Sequence, residues 1–181
     1  MATTNPRNRP DVVGPAEGPT KPFPLRLSGP VVKGFGRGSK ELGIPTANIP
    51  IEGLSVGGCA DVESGVYFGY ASIKLGDAEP EVFPQVMSIG WNPYYKNEVR
   101  SVEVHIVHEF KEDFYGAEMK LVILGYIRPE LDYISKEALI EDINTDIRVG
   151  LKSLERESYA AYKKDAFLEE FAAVNDGAQK L

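Results

Sequence analysis

The hydrophobic pattern of the chain changes period at Pro129, and this change most constrains the fold. Before Pro129, six segments rich in β-branched and aromatic residues predict strands. They begin near Leu25 and then cover residues 44–50, 65–74, 82–91, 101–108 and 120–128.

After Pro129 the apolar residues recur at helical spacing. Leu139, Ile143, Ile147, Leu151 and Leu154 are separated by four, four, four and three positions. This spacing predicts an amphipathic helix over about 136–157, which Ser135 can cap, and a second helical stretch is expected near 160–173. Because the helices follow the strands instead of alternating with them, the order favours a closed antiparallel barrel of about six strands, mainly β, with the helices packed outside.

The two ends of the chain differ from this patterned region. Residues 1–22 contain five prolines and little that can pack, so they are expected to form a disordered tail. Residues 23–175 are expected to form a single domain, because 181 residues suit one well-packed domain better than two. Residues 176–181 are expected to be a second tail.

Charge and cysteine content exclude several classes of protein. The formal net charge of −7 argues against a broad nucleic-acid footprint, so any phosphate site must be a local basic pocket. A single cysteine forms no internal disulfide, no apolar run is long enough to span a membrane, and the N-terminus carries no apolar signal core. The expected location is intracellular, in the cytoplasm.

The stretch from Gly34 to Asn48 is rich in glycine and carries cationic side chains. Glycines such as Gly34 and Gly36 let the backbone approach a ligand, and Arg37 and Lys40 supply positive charge, a combination suited to a polyphosphate. Thr46 and Asn48 are two apart on a predicted strand, so their oxygens should point to one face, where a phosphate-bound Mg²⁺ could accept them. A tight glycine hairpin with a solvated polar strand face is the alternative.

The strand at residues 101–108 alternates strictly through Ile106. Val102, Val104 and Ile106 should lie on one face, with Ser101, Glu103 and His105 on the other. Glu103 is a candidate catalytic carboxylate on that polar face, although a lone strand carboxylate is also typical of a solvated surface. His105 and His108 are three apart and should point to opposite faces, so a joint metal site is not expected.

Several long segments, in order, resemble riboflavin kinase (flavokinase) of the monofunctional eukaryotic type. They lie within residues 28–157 and comprise Gly34–Lys40, Leu42–Asn48, Ser88–Asn97, Glu103 with His105, Ile106 and His108, Phe110–Gly116 and Gly125–Glu130. The resemblance implies a six-stranded antiparallel, Greek-key β-barrel and transfer of the ATP γ-phosphoryl group to the riboflavin 5′-hydroxyl, giving FMN and ADP.

The resemblance also implies roles for individual residues. Glu103 would be catalytic, and Thr46 and Asn48 would bind Mg²⁺, with Zn²⁺ or Mn²⁺ as substitutes. The implied nucleotide-binding and flavin-binding residues are Gly34, Gly36, Arg37, Lys40, Thr46, Ile106, His108 and Tyr115 for ATP, and Arg128 and Tyr133 for the flavin. Without the resemblance, Arg128 would be a surface or capping cation. The expected partners are riboflavin, FMN, ATP and ADP, with no nucleic acid and no membrane span, and the expected state is a monomer.

Two other functions stay open. In the bifunctional bacterial arrangement an adenylyltransferase domain that makes FAD precedes the kinase module, but only about 27 residues precede it here and no second nucleotide motif is present, which argues against FAD synthesis. A non-catalytic flavin- or nucleotide-binding β-barrel is the other. The presence of Thr46, Asn48 and Glu103 favours the kinase over that alternative.

Overall fold

The structure is a computed structural model, and it describes residues 8–32, 43–50, 57–59, 62–91 and 100–171 of the chain. Within these ranges the fold is mainly β, with six strands followed by helices. The strands are β1 Leu25–Pro30, β2 Ala47–Pro50, β3 Gly65–Ile73, β4 Glu81–Trp91, β5 Arg100–Ile106 and β6 Glu118–Arg128. The helices are α1 Lys136–Leu154, α2 Glu157–Ala160 and α3 Ala166–Glu169, with a 3₁₀ turn at Ala161–Lys164 between α2 and α3.

All strand pairs are antiparallel, in the spatial order β1-β6-β3-β4-β5-β2. Strands β3, β4 and β5 follow one another as neighbours and β6 returns beside β3, which is a Greek-key arrangement. The sheet curls until its two edges meet, because an isolated bridge joins Val32, just after β1, to Asn48 of β2. The predicted antiparallel barrel is confirmed.

The barrel separates two apolar clusters. Its interior is filled by alternate residues of every strand, among them Tyr67, Met87 and Val104. The outer face of β3, β4 and β6 packs instead against the helices, where Phe68 contacts the ring of Tyr159 at a centroid distance of 5.8 Å. The helices therefore cover one side of the barrel, and α1 faces β4 and β5 across a cleft.

Helix α1 begins as predicted, since the Ser135 side chain accepts a hydrogen bond of 3.1 Å from the Ala138 amide. Gly150 does not interrupt it. A Cβ at Gly150 would lie 3.0 Å from a methyl group of Val86, so glycine lets the helix approach the sheet closely. No helix in the described ranges is both long and apolar enough to cross a membrane.

The most buried face of α1 differs from the predicted apolar stripe. Leu139, Ile143 and Ile147 are half-buried, whereas Asp142 and Asp146 are buried. Two arginines from distant parts of the chain neutralise these carboxylates, and hydrophobic spacing alone does not reveal such partners. The second helical stretch is not one continuous helix: it consists of α2, the 3₁₀ turn and α3.

Residues 8–22 correct the prediction of a disordered tail: they form an ordered segment on α1 and α2, here named the N-terminal strap. The amide of Val13 donates to Ser153 Oγ at 3.0 Å, Arg156 donates to the Gly14 carbonyl at 2.8 Å, and the Tyr159 hydroxyl donates to the Pro15 carbonyl at 2.8 Å. Prolines remove amide donors but leave carbonyl acceptors, which helix side chains can use. Low apolar content was therefore a poor guide to order in this segment.

Candidate active site

A cleft of about 410 Å³ lies between the outer face of the barrel and helix α1. One side, the strand wall, carries Thr46, Ser88, Glu103 and His105. The other side, the helix wall, is formed by residues 128–133 and α1. The cleft therefore brings together four predicted site residues from three separate segments, namely Thr46, Glu103, and Arg128 with Tyr133.

The register of the strands places Glu103 in the strand wall. The neighbouring Val102 and Val104 are buried in the barrel interior, while the Glu103 side chain is exposed on the outer face. The predicted alternation along β5 is confirmed. Glu103 is the cross-strand partner of Asn48 on β2 and of Ser88 on β4, so these three residues form a row across the sheet.

Asn48 fits a role as an oxygen ligand. Its side chain is 9% exposed, and its Oδ1 has no hydrogen-bond partner among the described residues. Leaving a buried acceptor unpaired costs about 1–3 kcal/mol, so such an atom calls for a functional reason. A neutral carbonyl oxygen beside a carboxylate is donor chemistry that a hard divalent cation accepts.

The two histidines have separate partners. His105 lies in the cleft, and its Nδ1 is 2.9 Å from the carbonyl oxygen of Pro45, so it ties the segment that carries Thr46 to β5. His108 stacks on Phe83 with ring centroids 4.4 Å apart and meets Phe110 edge-on at 4.8 Å.

The residues predicted to bind ATP do not line the cleft where the structure describes them, apart from Thr46. Ile106 is buried in the barrel interior, and Tyr115 is 54% exposed. His108 and Tyr115 belong to the segment after β5, which is held against β1 because the Gly116 amide donates to the Val31 carbonyl at 2.8 Å. Val31 lies just before the glycine-rich stretch. The predicted residues Gly34, Gly36, Arg37 and Lys40 lie outside the described residues.

The helix wall is held by charged groups. Arg128 is 5% exposed, and its Nε and Nη2 donate to Asp146 at 3.0 Å and 2.8 Å, while Nη1 donates to the Pro129 carbonyl. Arg9 of the N-terminal strap pairs with both Asp142 and Asp146. Burial raises the pKa of Asp146 above its usual value, although the hydrogen bond and charge of Arg128 oppose that rise.

Tyr133 is coupled to the same charged groups. Its hydroxyl donates to Asp142, and its ring centroid lies 5.9 Å from the Arg128 guanidinium. Burial, together with the hydrogen bond to Asp142, raises the pKa of Tyr133 to about 12. The phenol is therefore neutral at physiological pH and acts as a donor.

Glu130 is a second carboxylate in the cleft. Its carboxylate lies over Gly90 of β4, where a Cβ would overlap Oε1. Burial raises the pKa of Glu130; the charges of Arg128 and Arg100 oppose that rise, and the nearby charge of Glu103 adds to it. Gly90 thus leaves room for a carboxylate at the junction of the two walls.

Sequence reasoning missed the residues that hold the helix wall: Arg9, Glu130, Asp142 and Asp146. One signal was available, since two aspartates four positions apart border the apolar stripe of α1 and could share a partner. Their partner Arg9 lies 133 residues before Asp142, and no local pattern indicates that pairing.

Comparison with known proteins identifies the family. Residues 21–154 match the family model described as Flavokinase: Riboflavin kinase. A riboflavin kinase of Pyricularia oryzae is 52% identical over 162 residues, covering 83% of this chain and 81% of the relative. One of Aspergillus fumigatus is 48% identical over 188 residues, covering 85% and 87%.

A solved structure agrees with these sequence matches. The crystal structure of riboflavin kinase from Trypanosoma brucei superimposes with a TM-score of 0.69 at 27% identity, covering 86% of this chain and 96% of that one. By both sequence and fold, the chain belongs to the riboflavin kinase family.

Proposed function

We propose that this chain transfers the γ-phosphoryl group of ATP to the 5′-hydroxyl of riboflavin, giving FMN and ADP. Membership of the riboflavin kinase family over most of the chain supports the reaction. The observation that carries the residue roles is the single cleft shared by Thr46, Glu103, Arg128 and Tyr133.

The transfer is direct and in line. A bond forms between the riboflavin 5′-oxygen and the γ-phosphorus while the bond from that phosphorus to the bridging oxygen breaks, and ADP leaves with that oxygen. Glu103 orients the hydroxyl and accepts its proton. A general base of this kind typically contributes ~10² to 10⁴-fold to the rate.

Kinases of this type work with a divalent cation on the nucleotide phosphates, and we assign Mg²⁺ here, with Zn²⁺ or Mn²⁺ as substitutes. Thr46 and Asn48 would hold it, a role that the unpaired Oδ1 of Asn48 supports. When bound, the cation offsets negative charge on the phosphate oxygens.

ATP binds, in this proposal, at the end of the barrel where the glycine-rich stretch begins. Gly34, Gly36, Arg37 and Lys40 are assigned to phosphate binding there. Ile106, His108 and Tyr115 complete the nucleotide site. The hydrogen bond between Gly116 and Val31 supports this grouping, because it holds the segment of His108 and Tyr115 against Val31, which precedes that stretch in the sequence.

Riboflavin binds along the helix wall. Arg128 and Tyr133 are assigned to the flavin there, Tyr133 through its aromatic surface, in a cleft that reaches Glu103. The 5′-hydroxyl then faces the strand wall. In this arrangement the helix wall holds riboflavin, and the strand wall activates its hydroxyl.

The test is to incubate the purified protein with riboflavin, ATP and Mg²⁺ and to separate the flavins by chromatography. FMN and ADP should appear in equal amounts with the wild-type protein and only slowly with Glu103→Gln. Riboflavin binding without FMN would instead indicate a non-catalytic flavin-binding barrel, and formation of FAD would indicate the bifunctional alternative.

We further propose that the enzyme is a monomeric, single-domain protein of the cytoplasm. The single cysteine, which forms no internal disulfide, supports a reducing compartment. Sedimentation at micromolar concentration tests the monomer, and fractionation of cells tests the location.

A further inference from the structure

Four charged side chains meet behind the flavin half of the cleft: Arg9, Arg128, Asp142 and Asp146. Their side chains are 2%, 6%, 9% and 2% exposed. Arg9 Nε lies 2.9 Å from Asp146 Oδ1, and Arg128 Nη2 lies 2.8 Å from Asp146 Oδ2. Arg128 Nε also donates to Asp146 Oδ1 at 3.0 Å, so both arginines share this one carboxylate.

The cluster is neutral only when Arg9 is present, because two arginines then balance two aspartates. Without Arg9 it would carry a net charge of −1 in a buried position, which is costly. Of its contacts with described residues, Asp142 would keep the Tyr133 hydroxyl and a longer contact of 3.8 Å to Arg128. Arg128 would be drawn between the two aspartates, and Tyr133 would move with it.

Arg9 reaches this position because the N-terminal strap is fixed independently of the cluster. Beyond Arg9, the strap is bonded through Val13 to Ser153 and through Pro15 to Tyr159, both away from the cleft. A second pair, Asp11 with Lys152 at 3.1 Å, lies on the surface of the same strap, with side chains 78% and 52% exposed. The strap therefore offers one buried and one exposed contact to the same helix.

We propose that Arg9 is a positioning residue for riboflavin: by balancing Asp142 and Asp146 it keeps Arg128 and Tyr133 in the geometry that receives the flavin. This inference rests on the proposed function of Arg128 and Tyr133. Arg9 itself touches neither substrate. Its effect should appear in riboflavin binding and not in ATP binding, since Ile106, His108 and Tyr115 of the proposed nucleotide site do not line the cleft.

The test compares Arg9→Met, Arg9→Lys and Arg128→Met with wild type in full-length protein, and measures kcat and KM for each substrate together with the melting temperature. Arg9→Met keeps the apolar length of the side chain but removes the charge. We expect its riboflavin KM to rise by about tenfold, equivalent to about 1.4 kcal/mol, with the KM for ATP unchanged. Arg9→Lys should fall between wild type and Arg9→Met, because an ammonium keeps the charge but cannot contact two carboxylates as a guanidinium does.

Asp11→Asn is the matched control, because it removes the exposed contact of the strap and should leave both KM values unchanged. An unchanged riboflavin KM in Arg9→Met, or an equal rise in both KM values, overturns the inference. If Arg9→Met does not fold, an unchanged riboflavin KM in Arg9→Lys overturns it. If Arg128→Met raises the riboflavin KM and Arg9→Met does not, only the role of Arg9 fails; an unchanged riboflavin KM in Arg128→Met refutes the flavin site itself.

Discussion

The two walls of the cleft hold their polar groups in opposite ways. On the strand wall, Glu103 is set by the register of neighbouring strands, as is its cross-strand partner Asn48 beside the wall, and the Oδ1 of Asn48 has no hydrogen-bond partner in the described part of the chain. On the helix wall, Arg128 and Tyr133 are bonded to buried aspartates that are themselves paired with Arg9. Asn48 thus presents an acceptor oxygen to a ligand, whereas the charged groups of the helix wall pair with one another.

This difference suggests a division of labour. A side chain that binds a metal or accepts a proton must be able to contact it during the reaction. Backbone pairing between strands can fix the position of such a side chain. Groups that receive a substrate need a fixed shape, which a network of ion pairs provides. Variants of the strand wall should therefore change kcat or the metal requirement, and variants of the helix wall should change KM for riboflavin.

The largest effect is expected for Glu103→Gln. Gln keeps the size and one oxygen but cannot take the proton, so kcat should fall by ~10² to 10⁴-fold with little change in either KM. The buried residues of β5 are untouched, so the melting temperature should stay close to that of wild type. Steady-state kinetics on Glu103→Gln and Glu103→Ala measure this.

The same pair of variants separates two roles of the carboxylate. If proton transfer dominates, the Gln variant should be nearly as slow as the Ala variant, and if positioning dominates it should be intermediate. Glu81→Gln, the same change at the exposed start of β4, is the control. A near-normal kcat in Glu103→Gln, or a variant that no longer folds, would indicate that Glu103 has a structural and not a catalytic role.

The comparison of the walls also explains what could be predicted from sequence. Alternation along β5 placed Glu103 on the polar face, because side chains on a strand have a period of two. Thr46 and Glu103 lie in one cleft, and their roles there stay a prediction. Arg128 was assigned to the flavin by resemblance alone, and its partner Asp146 is visible only in the folded chain.

The N-terminal strap shows why the remainder could not be predicted. Its proline content suggests disorder, but its order depends on side chains of α1 and α2 more than 130 residues away. Hydrophobic periodicity reports which face of an element is buried and carries no information on pairings of this length. Removal of residues 1–20 is accordingly expected to lower the melting temperature.

A smaller effect, on the metal requirement, is expected for Asn48→Leu and Thr46→Val. Each removes one oxygen, so the Mg²⁺ concentration for half-maximal activity should rise by at least about tenfold. Because Oδ1 of Asn48 has no partner to lose among the described residues, Asn48→Leu should melt at or above the wild-type temperature.

A magnesium titration at saturating ATP checks the metal prediction. The control is Thr145→Val, since the Thr145 hydroxyl on α1 donates to the Glu141 carbonyl and lies outside the cleft. Equal magnesium titration curves for Asn48→Leu and wild type would exclude Asn48 as a ligand.

A modest effect is expected at the junction of the walls. In Gly90→Ala the new methyl group would overlap the Glu130 carboxylate, the free end of a flexible side chain, so the fold should tolerate it while the carboxylate moves. The riboflavin KM should rise by less than about tenfold, which corresponds to less than ~1.4 kcal/mol.

Gly69→Ala provides the contrast, because there a Cβ would overlap the Val122 carbonyl of the adjacent strand. Backbone cannot move aside as a side chain can, so Gly69→Ala should lower the melting temperature strongly. Equal loss of stability in Gly69→Ala and Gly90→Ala would mean that Glu130 is fixed as rigidly as backbone.

The smallest effect is expected above pH 10, on the helix wall. Tyr133 has a folded pKa raised to about 12 from its ordinary value of 10.0, so between these values the unfolded chain releases a proton that the folded chain retains. The free energy of unfolding should therefore fall as pH rises through this window, while the contribution of Tyr133 is fully present below pH 10. Tyr133→Phe should flatten the slope, although it starts from a lower stability because the hydrogen bond to Asp142 is lost.

Tyr67 allows the two regions to be compared by the same measurement. It lies in the barrel interior, its hydroxyl donates to the Glu63 carbonyl, and burial raises its pKa to about 12 as well. Urea titrations at pH 9, 10 and 11 should show a flatter pH slope in Tyr67→Phe and in Tyr133→Phe, but only Tyr133→Phe should raise the riboflavin KM at pH 7.5. If the slope of Tyr133→Phe equals that of wild type, the Tyr133 phenol ionises equally well in the folded and unfolded chain. That result would argue against a helix wall held by paired polar groups.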